Sequence, residues 1–123
     1  MWFFTKDGFY SVVKDEKCAD DELLVESITE KDMENLMAKI PKIRDIKYHP
    51  RRYVQYNHSV IVARKDLAKY ISTSILDIDY DNQNAIVEFD DLQRKDAYMK
   101  CYSAINEYQK SVLYNKFRDT ENK

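Results

Sequence analysis

The first thirteen residues, Met-Trp-Phe-Phe-Thr-Lys-Asp-Gly-Phe-Tyr-Ser-Val-Val, constrain the fold more than any other stretch. Residues 2–6 and 9–13 are rich in aromatic and β-branched side chains, and Asp7-Gly8 between them suits a two-residue type I′ turn. Gly8 is the only glycine in the chain, so the residue best suited to positive φ stands where such a turn needs it. That turn predicts Phe4 opposite Ser11, Phe3 opposite Val12 and Trp2 opposite Val13. One face then carries Trp2, Phe4, Phe9 and Val13, and the other carries Phe3, Tyr10 and Val12. Both faces are apolar, so the hairpin is expected at the centre of a sheet, with helices below and a cover above.

The rest of the chain reads as further strands and helices. Residues 14–22 form an acidic connection, and residues 23–28 a third strand. Thr29 suits the N-cap of a helix over 30–40, whose stripe is Met33, Leu36, Met37 and Ile40 and which Pro41 closes. Residues 42–48 make a short strand. Residues 53–64 make a longer one, with His58, Val60 and Val62 on one face and Ser59, Ile61 and Ala63 on the other. A second helix is expected over 65–79 with Leu67, Ile71, Ile75 and Ile78 buried. Residues 85–89 fit either a strand or the lead into a last helix. That helix spans 90–117 and sets Tyr98, Cys101, Tyr102, Ile105, Tyr108 and Val112 on one face. The order predicts a single α+β domain over residues 1–123. It is a two-layer sandwich of about five antiparallel strands and about three helices, and a ferredoxin-like variant is one version.

Charge is segregated along the chain. Residues 15–36 hold nine acids and two bases, residues 39–69 nine bases and two acids, and residues 77–91 six acids and no base. The basic segment 42–69 is a candidate partner or anion site. Within it Lys47, Tyr48, Arg51, Arg52 and Tyr53 interleave cations with aromatics, and Arg64 and Lys65 follow. The chain as a whole is acidic, with a net charge of −2, which opposes approach to a polyanion. Asp77, Asp79, Asp81 and Glu88 fit the ligand spacing of an EF-hand calcium loop, but Asn82 stands where that loop needs its glycine. No metal and no cofactor is therefore assigned. His49 and His58 lack a nucleophile partner, and one glycine rules out a glycine-rich phosphate loop, so no enzymatic activity is expected. Cys18 and Cys101 read as reduced thiols, no signal peptide or membrane span is evident, and a cytoplasmic setting is expected.

The N-terminal Trp2-Phe-Phe-Thr5, Gly8-Phe-Tyr-Ser-Val-Val13 and Asp21-Glu-Leu-Leu-Val25 resemble a family of small uncharacterised bacterial proteins. Their pattern is W-x-F-T-x-x-G-F-x-S-V-V followed by D-x-L-x-V-R. The strand from Tyr56 to Arg64, the run Ile78-Asp-Tyr80-Asp-Asn82 and the pair Tyr98 and Tyr102 extend the likeness over most of the chain. This chain departs from the pattern at Ala63, where proline is common, and at Gln83-Asn84. The resemblance implies a fold and a bacterial or phage setting, and no reaction. It also implies packing roles for Ile78 and Tyr80, which counts against calcium.

Absent chemistry, segregated charge and ten tyrosines point to a small interaction protein that occupies a partner protein's surface, for instance as a phage- or mobile-element-encoded inhibitor or adaptor. The alternative is an anionic ligand, nucleotide or nucleic acid, held by the basic segment. Helices on one side of the sheet leave one hairpin face to water. Trp2, Phe4 and Phe9 are therefore candidates for self-association as a homodimer.

Overall fold

The computed structural model describes residues 1–40, 56–81 and 91–121, and the backbone alone of 44–46. The elements are β1 (Trp2–Thr5), β2 (Gly8–Val13), β3 (Glu22–Ser27), α1 (Glu30–Met37), β4 (Arg44–Ile46), β5 (His58–Ala63), α2 (Arg64–Leu76) and α3 (Leu92–Glu121). The described residues form two compact units, Met1–Asp79 and Tyr80–Lys123. Among them, no helix is long and apolar enough to cross a membrane.

The first unit is an α+β layout on an antiparallel sheet of order β1-β2-β3-β5-β4. Four strands of four to six residues make its body. The strand expected over 42–48 is reduced to the three residues of β4, on the outer edge of β5. The expected sheet of about five strands thus comes down to four full strands and this short segment. The hairpin is not central. β3 and β5 occupy the middle through six facing pairs, and β1 is outermost in the strand order.

The hairpin register also differs from the expected one. Trp2 faces Ser11, Phe3 faces Tyr10, Phe4 faces Phe9 and Thr5 faces Gly8, so Lys6 and Asp7 form the loop. Each partner moves by two residues, which preserves the alternation, so the assignment of side chains to faces holds. Phe3, Tyr10 and Val12 join Leu23, Val25, Val60 and Val62 in the core. On these strands α1 lays Met33 and Leu36, the residues after it add Ile40, and α2 lays Leu67 and Tyr70.

Two helix readings are corrected. α2 buries Leu67 and Tyr70, while Ile75 and Ile78 are exposed, because the helix stops at Leu76 and its last turn runs past the core. In α1, Met37 is exposed while Asp32 is buried. Thr29 is the N-cap as expected, its hydroxyl accepting from the Asp32 N–H at 3.3 Å.

Gly8 explains the register. A Cβ on Gly8 would lie 2.4 Å from Cγ of Asp32, closer than real contacts allow. Asp32 sits there because its Oδ2 accepts from the Phe9 N–H at 3.1 Å and its carbonyl accepts from the Tyr10 hydroxyl at 2.6 Å. The glycine therefore makes room for a helix carboxylate, and it also holds a φ of +158°, which L side chains rarely adopt. Gly8→Ala should destabilise the fold by about 1–3 kcal/mol, the usual cost of overpacking. Gly8→Asn, which a type I′ turn would tolerate, should be at least as damaging. Urea denaturation of both variants checks this, and a neutral Gly8→Asn would restore the turn explanation.

Candidate functional site

The richest described group of titratable side chains lies under the hairpin loop. Asp7 is buried there, with Lys39 Nζ donating to Oδ1 at 2.7 Å and the Tyr70 hydroxyl donating to Oδ2 at 2.6 Å. The Asp7 N–H donates to Thr5 Oγ1 at 3.1 Å, and Thr5 Oγ1 lies 3.0 Å from the Tyr70 oxygen. Since the Tyr70 proton goes to Asp7, the Thr5 hydroxyl donates to Tyr70 and the three groups close a ring. Asn35 completes the set by donating to the Asp7 carbonyl at 2.9 Å. Sequence segments far apart meet here: the loop of the hairpin, the end of α1 and the middle of α2.

The chemistry of this ring is that of a lock. Burial, and then the hydrogen bond to Asp7, push the Tyr70 phenol well above its ordinary value of 10.0. Tyr70 is thus a held donor, with no capacity to act as a base or nucleophile near neutral pH. Among the described residues no buried side-chain nitrogen or oxygen lacks a partner. The sequence hides this ring because Asp7 suits a turn and Tyr70 lies outside the stripe expected for α2. Tyr70 lies three residues after Leu67, on the buried face, and counting tyrosine as apolar would have found it.

The residues singled out in the sequence are scattered. Lys47, Tyr48, His49, Arg51, Arg52 and Tyr53 lie outside the described residues, as do residues 85–89 and Glu88. Arg64 and Lys65 are exposed at the start of α2. Arg64 is tied to the acidic connection, its N–H donating to the Asp21 carbonyl at 2.7 Å and its Nε to the Asp20 carbonyl at 3.0 Å. Asp77, Asp79 and Asp81 are all exposed, and no three His, Cys, Asp or Glu side chains among the described residues are placed to share a metal ion. His58 is half-buried at the end of β5 that faces Ser27.

Two surfaces remain. On the outer face of the hairpin, Trp2 and Phe4 flank Phe9 at ring separations of 6.0 and 4.7 Å, and Trp2 is 71% exposed. In the second unit, Asp91 starts α3, its Oδ1 accepting from the Arg94 N–H at 3.1 Å. Arg94 in turn donates to the Tyr98 hydroxyl at 3.1 Å. Beyond Tyr98, the one buried residue of α3, large apolar side chains stand in water. Tyr102, Ile105, Tyr108, Val112, Leu113, Tyr114 and Phe117 are all at least half exposed. The face read from the sequence is present, but only Tyr98 of it is covered.

No protein-family model, curated protein or solved structure matches this chain. Function is therefore read from the residues alone.

The lock makes a prediction with a definite sign. Tyr70 holds its proton more tightly folded than unfolded, so its contribution is complete below the ordinary tyrosine value and is lost as pH rises toward the folded one. Stability should fall above about pH 10. Tyr70→Phe should remove that part of the slope and cost about 1–2 kcal/mol at neutral pH. Asp7→Ala should cost about 1–3 kcal/mol, because it strands the buried phenol while the Lys39 ammonium can turn to water. Urea titrations at a series of pH values check both; an unchanged alkaline slope in Tyr70→Phe would contradict the assignment. Millimolar calcium and a chelator should both leave the melting temperature unmoved.

Proposed function

We propose that this chain is a non-enzymatic interaction protein that binds a partner protein through the exposed apolar side of α3. The observation that carries this reading is the exposure of Leu113, Tyr114 and Phe117, at 54%, 66% and 62%. Contiguous apolar surface of this kind marks an interaction site, and aromatic residues are enriched at the anchors of interfaces. The lack of a nucleophile motif supports a binding role over a catalytic one. The N-terminal motif supports a bacterial, phage or mobile-element setting, in which such a protein works in the cytosol as an inhibitor or adaptor. The order of β3, α1, β4 and β5, with β5 between two parallel strands, supports a ferredoxin-like reading of the core, β2 taking the remaining place.

A second reading, an anionic ligand on the basic segment, is favoured by one observation. Arg64 and Lys65 are both exposed at the N-terminus of a 13-residue helix, where the helix dipole adds to their charge.

The two readings separate experimentally. A protein retained from host cells by the wild-type chain should be lost on Tyr114→Glu or Phe117→Glu, by about tenfold or more in affinity. Both sites are exposed, so the melting temperature should stay within about 2 °C. Retention unaffected by either change would remove α3 from the site. Binding of single-stranded nucleic acid that falls with salt and disappears with Arg51→Ala plus Arg52→Ala would favour the second reading.

A further inference from the structure

α3 carries a second apolar stripe, on the side of the helix opposite Phe117. Cys101, Ile105, Tyr108, Val112 and Asn115 recur at alternating spacings of four and three residues, the seven-residue repeat of a coiled-coil seam. Ile105 and Val112 take the a positions, and Cys101, Tyr108 and Asn115 the d positions. The seam begins after Tyr98, which is buried and held by Arg94. From there on it is bare: Ile105 is 58%, Tyr108 65% and Val112 50% exposed, and Cys101 is an exposed free thiol.

We propose that this seam is occupied by α3 of a second copy of the chain, parallel and in register, giving a two-fold dimer. Four features select a second copy and that orientation. β-Branched residues at both a positions favour parallel two-stranded pairing. Asn115 at a d position meets its own counterpart only when the helices are in register, where one amide can donate to the other. Of the flanking positions, Tyr102, Ala104, Gln109 and Ser111 carry no charge and Lys116 alone is charged, so two identical helices meet along most of the seam without like-charge repulsion.

Area is the fourth. A fully exposed large side chain presents about 150–250 Å², so Tyr102, Ile105, Tyr108 and Val112 leave roughly 400 Å² bare on each helix. Two helices bring the total to roughly 800 Å², and Cys101, Gln109 and Asn115 raise it to about 1,000 Å², the lower bound for a specific interface. The dimer is accordingly a reversible one, with dissociation in the micromolar range. It leaves Leu113, Tyr114 and Phe117 free on the far side of the helix, so it goes beyond the proposed partner site and does not depend on it.

The test uses the full chain. Sedimentation equilibrium should give a mass that rises from about one toward two chains between roughly 1 and 300 µM. A short bismaleimide should link two chains through Cys101 in Cys18→Ser, because parallel in-register pairing alone sets Cys101 against Cys101. Ile105→Glu and Tyr108→Glu should each shift the dissociation constant by tenfold or more and abolish the link. Ser103→Glu, on the far side of the helix, should leave both intact. A monomer at 300 µM, a dimer without the Cys101 link, or a dimer indifferent to both glutamates would each overturn the proposal. Loss of the dimer with an intact Tyr114 and Phe117 dependence of partner capture would leave the proposed function standing.

Discussion

The fold of the first unit turns on the Asp7 carboxylate. It is buried, so its charge is tolerable only because Lys39 and Tyr70 both donate to it. Those two donors come from the segment just after α1 and from α2, so one side chain of the hairpin loop ties three parts of the chain together. Each hydrogen bond to a buried charge is worth about 1.5–3 kcal/mol, while a well-placed turn glycine is worth about 0.5–1. When the two preferences conflict, the carboxylate decides. The loop therefore closes at Lys6-Asp7, and Gly8 lies flat against Asp32.

That anchor organises the sheet as well. With the loop held down, Phe3 and Tyr10 are directed onto the helices, and Phe3 comes to lie 6.4 Å from the Tyr70 ring. The aromatic and polar contacts of Tyr70 then reinforce each other, its ring packing against the core and its hydroxyl closing the ring of hydrogen bonds. The opposite hairpin face is left to Trp2, Phe4 and Phe9, where Trp2 meets Phe9 edge to face and Phe4 lies tilted against Phe9. In α3 charge is sparse along one seam and tyrosine is plentiful.

Part of the candidate site was legible in the chain. The stripe on α3 could be read from spacing alone, because an i, i+3, i+7 repeat is a property of the helix and needs no partner. Whether that stripe packs inside or stands in water cannot be read from spacing, since the same residues serve either role. Tyr98 and Tyr102 illustrate this: both lie on the predicted face, yet one is buried and the other is 64% exposed. The polar lock was illegible for a different reason. Thr5, Asp7, Lys39 and Tyr70 are ordinary surface-type residues until distant segments bring them within hydrogen-bonding distance.

Alternation by itself determined the face assignments of the strands. Phe3, Tyr10, Val12, Val60 and Val62 share the core side because side-chain direction has a period of two along a strand, and a slip of two residues leaves that parity intact. The N-cap at Thr29 was equally local, since a hydroxyl reaching three residues ahead needs nothing beyond its own turn. Tertiary structure alone decided the hairpin register, the edge position of β1, the burial of Tyr70 in place of Ile75 and the exposure of α3. Each depends on which element lies opposite, and an opposing element many residues away leaves no mark on the local pattern.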